Sequence, residues 1–336
     1  MSENTNAVQA GRAQPRALLE RLRITRRGLQ VTLGFIWLLD GLLQFQSFMY
    51  SHAFIKEVIE PTAEGQPGFI REPILTLAHF YGHDLTLWNT LSAEIQCAIG
   101  LGLILSRRTV RPALLVSYFW AFVVWWFGEG FGTILSGAPV SPLMGAPGAV
   151  VLYLLIGLLV WPRDENANGV AVDGGLLGRL GGRVVWTLVW LEAAVLWLLH
   201  VDRSKDAIKE QIAGMAEAAP HWLATSQHSL ANSLAGDGVT VATVLAVVSV
   251  VLALGVWLPR ARPVALALGA LLSLAYWYYG QSLGGPFWIG SATDVNTGPL
   301  LVLLAATVWP ALGRAPSTAR AASRVPPPRG VEVSAA

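Results

Sequence analysis

The sequence predicts an all-α membrane protein: eight transmembrane helices in two parallel four-helix repeats, with helical caps on the outer face. Three observations carry that expectation. Residues 55–59 read IKEVI and residues 208–212 read IKEQI, and the same shift of 153 pairs Trp37 with Trp190, Pro67 with Pro220 and Asp84 with Asp237. The chain is therefore a tandem duplication, and each half constrains the reading of the other. Apolar residues make up 54% of the 336 and charged residues only 13%, too little charge for a soluble domain of this length. Of the 23 Lys and Arg, 18 fall in the segments 1–28, 107–111, 163–183, 259–262 and 313–336, which assigns those segments to the cytoplasmic side.

The elements follow in order. A basic cytoplasmic segment, 1–28, is followed by a first membrane repeat, 29–162, with apolar stretches near 29–50, 86–106, 112–133 and 148–162. A cytoplasmic linker, 163–182, rich in Asn, Asp and Gly, leads to a second repeat, 183–313, with stretches near 183–200, 239–259, 263–284 and 297–313. The match between copies continues through Arg111-Pro112 against Arg262-Pro263, Gly128 and Gly132 against Gly280 and Gly284, and Val160-Trp161-Pro162 against Val308-Trp309-Pro310. The fourth stretch of each copy is short for a full crossing. The tail, 314–336, with Pro326-Pro327-Pro328, reads as disordered. An even number of spans per copy makes the copies insert in the same orientation, with both termini cytoplasmic in the plasma membrane. The first helix has no cleavage site after its apolar core and reads as an uncleaved anchor. A net charge of +2 comes from the cytoplasmic arginines and calls for no nucleic-acid partner.

Outer loops of about 35 residues follow the first span of each copy, too long to be structureless. Ala53–Ile59 and Asp206–Met215 read as interfacial helices, turned at Pro67 and Pro220 into second helices over Phe69–His79 and Trp222–Leu234. All six histidines, His52, His79, His83, His200, His221 and His228, fall on that side. His79 and His83 stand one helical turn apart beside Asp84, a spacing that suits a metal or haem and equally suits two hydrogen-bonded interfacial side chains. The second copy has Asn232 and Gly236 at the matching places. Cys97 is the only cysteine, so there is no disulfide framework and no redox CxxC pair.

Four acids fall inside the expected spans: Asp40, Glu94, Glu129 and Glu192. A carboxylate at bilayer depth is costly, so these residues should face the bundle interior, where they pair, protonate or line a wet cavity. Asp40 and Glu192 lie at similar depth in the two copies, and Gln44 is one turn beyond Asp40. The third span ends in Trp125, Trp126 and Glu129, and its copy in Tyr278 and Gln281, so one polar residue sits among aromatics at the same point twice. Flat rings around a hydrogen-bonding group suit a planar quinone head, and aromatics at this depth also serve as interface anchors.

The stretch Leu33–Leu43, then Glu94 ahead of Gly100-Leu-Gly102-Leu-Ile-Leu and the basic turn Arg107–Arg111, resembles the DoxX-like superfamily of four-helix membrane proteins. The second copy follows the pattern only through Val248–Arg262, with Leu245 at the register of Glu94. The resemblance implies a membrane subunit of a quinone-linked electron-transfer assembly with a redox partner. Two other classes stay open: a proton-coupled transporter or channel with Asp40, Glu94 and Glu192 along a midplane path, and a scaffold for an extracytoplasmic partner. No Walker motif, nucleotide fingerprint or nucleophile elbow is present, which excludes ATP-driven transport and the common hydrolases.

The charge count generates a test. With Cys97→Ala as background, Glu64→Cys or Ala216→Cys should react with an impermeant maleimide on intact cells, and Asn168→Cys only after permeabilisation. Outside labelling of position 168 would refute the orientation.

Overall fold

Glycine sets how closely the first two long helices approach. α1 (Arg26–Leu43) begins at Thr25, whose hydroxyl accepts the Gly28 amide at 3.0 Å, and packs along α3 (Leu85–Leu105). A methyl built on Gly34 would sit 2.9 Å from the Gly100 carbonyl, and one on Gly100 2.7 Å from the Gly34 carbonyl. Inside a membrane, apolar side chains gain little by leaving lipid for a neighbouring helix, so close backbone packing at small residues supplies the attraction.

The computed structural model describes residues 24–163, 175–198 and 204–310. Most of the basic N-terminal segment, residues 164–174 of the linker, His200 and the tail beyond Pro310 lie outside the described residues. The described chain is helical throughout, without a strand. After α1, single turns of mixed type run from Ser47 to Ala63, followed by α2 (Gly68–His83), α3, α4 (Val110–Phe127) and α5 (Ala149–Leu159). The second half repeats the order: α6 (Gly178–Leu198), α7 (Ala207–Ala216), α8 (His221–Ser233), α9 (Gly238–Gly255), α10 (Arg262–Tyr279) and α11 (Thr297–Val308).

The packing pairs recur as well. α1 lies on α3 as α6 lies on α9, α4 on α5 as α10 on α11, and α5 meets α11 between the halves. Each of these short helices also crosses to the other half, α11 to α1 and α5 to α6. One core runs through both halves, from Leu33, Trp37 and Tyr153 to Trp186, Trp190, Leu300 and Leu304. On the end away from the caps, arginines cover helix C-termini. Arg27 donates to the carbonyls of Leu103, at 2.7 Å, and Ile104, Arg111 to that of Pro162 at 2.9 Å, and Arg262 to that of Val256 at 3.0 Å. The arginines that set the charge count therefore also complete helix ends.

Several expectations change. Among the described residues three helices are long and apolar enough to cross a membrane: α4, α6 and α9. α1 and α3 have the length, but Arg26, Arg27 and Asp40, or Glu94, dilute their apolar character. α5 and α11 have 11 and 12 residues and so extend only about 17–18 Å at the α-helical rise, against a hydrocarbon core of about 30 Å. Each is preceded by a long irregular stretch, 128–148 or 280–296, whose only helical pieces are single turns.

The duplicated motif folds two ways. Residues 208–212 lie in the regular helix α7, whereas Ile55–Ile59 form a wide π turn. Pro61, where the second copy has Gly214, lacks the amide and the room that a regular helix needs. α2 and α8 start directly after Pro67 and Pro220, and α2 continues through Gly82 to His83. The register of the third helices also shifts by one. Gly102 faces Ala113 and Gly255 faces Ala265, which aligns α4 with α10 at 152 and pairs Arg111 with Pro263 rather than with Arg262. With Gly102 matched to Gly255, the counterpart of Glu94 is Val247 and not Leu245.

Gly100→Val should destabilise the fold by about 1–3 kcal/mol or more through overpacking against α1. Gly82→Ala, where an added methyl meets nothing within 4 Å, should be neutral or stabilising by up to about 1 kcal/mol. Thermal unfolding of the two purified variants side by side tests this, and equal melting would remove the crossing from its proposed importance.

Candidate functional site

The irregular stretches create a problem at the head of each short helix, whose first amides have no partner within the helix. Glu129 and Gln281 solve it. The Glu129 carboxylate accepts from the Ala149 and Val150 amides at 3.0 and 3.3 Å, and the Gln281 amide oxygen accepts from Gly298 at 3.2 Å while its nitrogen donates to the Thr297 hydroxyl at 3.0 Å. Indoles one turn earlier fix the chain just before each helix. Trp125 donates to the Pro147 carbonyl at 2.9 Å and Trp277 to that of Val295 at 2.8 Å. Gly132 and Gly284, at φ +68° and +74°, pass so close to Pro147 and Val295 that a side chain has no place there.

The two stretches also cross over. Pro142–Met144 of the first half packs against α10 and α6, and the Gln281 side-chain nitrogen lies 3.4 Å from the Leu143 carbonyl. Reciprocally, the Gln46 side chain at the end of α1 donates to the Ala292 carbonyl at 2.9 Å, and Gln44 reaches Thr293 at 3.5 Å. This crossing brings Asp294 of the second half into the first.

There it meets a cavity of about 160 Å³. Trp37, Asp40 and Gln44 of α1 form one wall, and Trp120, Val123, Val124 and Phe127 of α4 another. Phe54 and Ile59 of the turns, Ala78 and Tyr81 of α2, Gln96 of α3, and Glu129, Thr293 and Asp294 complete the lining. Among the described residues no Lys, Arg or His lines it. Three carboxyls thus share one aromatic space without a basic partner. Asp40 is 2% exposed, accepts the Tyr153 hydroxyl and faces the Val295 amide. Asp294 accepts the Thr293 hydroxyl at 2.9 Å and the Asn296 amide at 2.6 Å. Burial holds the Asp294 carboxyl above the usual carboxylate range, against the pull of those two hydrogen bonds. The Trp37 and Trp120 indole N–H groups and one Glu129 oxygen, Oε2, are buried without a hydrogen-bond partner. Each unsatisfied buried polar group costs about 1–3 kcal/mol, and Glu129 Oε2 is turned to Gly148.

No family model, curated protein or solved structure matches the chain. The site is accordingly read from its own chemistry.

Of the four acids expected in the interior, Asp40 and Glu129 come together. Glu94 does not: it lies on the exposed face of α3, because the buried face runs through Asn89, Ala93, Gln96 and Gly100 and leaves residue 94 about 100° away. Glu192 is largely buried on α6 with both oxygens unpartnered, apart from the cavity. A path through Asp40, Glu94 and Glu192 is therefore not formed. Among the expected ring-binding residues only Glu129 lines the cavity. Trp125 holds the Pro147 carbonyl, Trp126 stacks on Phe127 with ring centroids 5.3 Å apart, Tyr278 bonds the Ser226 hydroxyl at 2.9 Å, and Gln281 caps α11. The α4 face towards the cavity is Trp120, Val123, Val124 and Phe127, one helical stripe that excludes Trp125 and Trp126.

His79 and His83 do share a face of α2, with ring centroids 4.6 Å apart and both side chains exposed. Asp84, the expected third neighbour, instead caps α3 by accepting the Leu87 amide at 3.0 Å. Among the described residues no group of three or more His, Cys, Asp or Glu is placed to hold a metal ion. His52, His221 and His228 are exposed at separate points of the caps.

Glu129→Leu should cost about 1–3 kcal/mol of stability by stripping the cap from α5, whereas Glu129→Gln, the residue type found at 281, should keep the fold. Melting temperatures of the two variants check this. Equal loss in both would mean that the charge, and not the hydrogen bonds, carries the cap.

Proposed function

We propose that the chain is a DoxX-like, multi-pass plasma-membrane protein that binds a quinone head in the first-half cavity and exchanges protons with it. Eight crossing elements in two parallel repeats, both termini cytoplasmic and the caps outside, agree with the charge distribution and the recurring helix pairs. The observation that carries the ligand class is the set of polar atoms around the cavity. Trp37, Trp120 and Tyr81 give the cavity aromatic walls, and Asp40, Glu129 and Asp294 can hold or release protons beside them. The rest of the lining is mainly aromatic and aliphatic, which suits a flat ring better than a hydrated cation. The volume is close to the cavity of about 150 Å³ that accommodates one benzene ring, so the space suits a single ring with its tail leading out.

When bound, a quinone takes up two electrons and two protons as its two carbonyls become hydroxyls. The electrons are those of a redox partner subunit; the protons are the part that this chain's carboxyls supply. Trp37, Trp120 and Tyr81 would enclose the ring, and the Tyr153 hydroxyl holds the Asp40 carboxyl at the wall of the same space.

Lipid extracts of the purified protein should contain quinone, and a short-tailed quinone should quench its tryptophan fluorescence saturably. Trp120→Leu, by removing ring contact, and Asp40→Asn, by removing the exchangeable carboxyl, should each weaken that binding about tenfold, a loss of about 1.4 kcal/mol. His79→Ala with His83→Ala should leave it unchanged. Protein free of quinone, with no saturable quenching, would sink this reading and return the transporter and scaffold classes to the front.

A further inference from the structure

The duplication does not give two sites. At the places that match the cavity, the second half has Ala193 for Asp40, Trp197 for Gln44, Tyr276 for Val124, Gln281 for Glu129, Leu301 for Tyr153 and Ala146 for Asp294. Trp197 and Tyr276, with ring centroids 6.0 Å apart, belong there to a buried cluster with Ile208, Ile212, Ala231 and Ala246. Ile59 and Ala78, the counterparts of Ile212 and Ala231, line the open cavity of the first half. The second-half space is packed with side chains and its acids are gone.

What the second half contributes is Asp294. We propose that Asp294 is the proton-exchanging carboxyl of a single ligand site built jointly by the two halves. Its companions are tied to helices, Asp40 on α1 to the Tyr153 hydroxyl and Glu129 to the two amides at the head of α5, each with its other oxygen unbonded. Asp294 sits instead on the irregular stretch 280–296, and both its oxygens bond within its own turn, to the Thr293 hydroxyl and the Asn296 amide, so it can change protonation without disturbing a helix. The charged and titratable groups facing it across the cavity are Asp40 from α1, Glu129 beyond α4, Tyr81 from α2 and Tyr153 behind Asp40 on α5, with no basic side chain among them. Three carboxyls sharing one low-dielectric space cannot all ionise, so the site retains protons and each charge raises the cost of the next. Removing one carboxyl therefore makes the others release their protons more easily.

The test uses full-length protein in nanodiscs and has an arm that needs no ligand. Infrared titration, read on the carbonyl band of protonated carboxyls, should show that Asp294→Asn deletes one proton-binding group and moves the midpoint of the remainder to lower pH. Asp294→Glu should restore the wild-type profile. The Asn variant keeps an oxygen for the Asn296 amide, so the turn has its anchor. The ligand arm rests on the quinone reading: a short-tailed quinone should saturate at one per chain, and its affinity for the Asn variant should match wild type in acid and hold at mildly alkaline pH, where wild type, with a carboxylate that no longer donates to the quinone carbonyl, should fall about tenfold. An unchanged titration, a uniform loss of affinity at every pH, or two ligands per chain would each overturn the proposal. Absence of quinone binding with the infrared shift intact would overturn the quinone reading and uphold the joint carboxyl site.

Discussion

Backbone that is neither helix nor strand must find hydrogen-bond partners away from water, and most of this fold follows from how the stretches 128–148 and 280–296 do so. Glu129 and Gln281 take the amides at the heads of α5 and α11, Trp125 and Trp277 take carbonyls just before them, and Gly132 and Gly284 allow the close approach. Once these partners are in place, the short helices can stand at the centre of the molecule, in contact with each other and with both first helices. The cavity lies where one such stretch of the second half meets α1 and α4 of the first. A polar residue among aromatics, which invites a purely ligand-binding interpretation, is in the first place a structural partner for the backbone. Glu129 has two oxygens and uses one of them in the cap, which leaves Oε2 unbonded.

Much of this was legible in the sequence. The helical class, the duplicated order of elements, the turns at Pro67 and Pro220 and the shortness of the fourth element all follow from composition, spacing and the behaviour of proline. Asp40 and Glu129 could be singled out because acids are expensive in apolar surroundings. Helix phase was the weak point. α3 is apolar nearly all round, so nothing in its pattern says which side of it is buried, and Glu94 proves to be on the exposed face. The same ambiguity on α4 directed attention to Trp125 and Trp126, when Trp120 faces the cavity. Asp294 carried no local signal. Its neighbours Thr293 and Asn296 mark a turn, and only the crossing of chains in space brings it to Asp40 and Glu129.

The IKEVI and IKEQI segments show how far local sequence governs local form. Five nearly identical residues fold as a wide turn in one half and as regular helix in the other, and the difference lies two residues downstream at Pro61 and Gly214. The wider first-half turn leaves Phe54, Val58 and Ile59 along the cavity wall, whereas the regular second-half helix drives Ile208 and Ile212 into a closed apolar cluster. A proline outside the site thereby accompanies the difference between a half with room for a ligand and a half without.

The crossing of the two irregular stretches has a consequence for the origin of such a chain. Two separate copies of one four-helix unit could make the same reciprocal exchange as a symmetric pair, but identical subunits must carry identical sites: any residue that fills one cavity fills both. Covalent joining lifts that restriction. Trp197 can occupy one side while Gln44 leaves the other open, and a loop that once had to serve two equal partners can specialise in delivering one carboxyl to its neighbour. Fusion, in this view, is what allows a symmetric scaffold to hold an asymmetric chemistry.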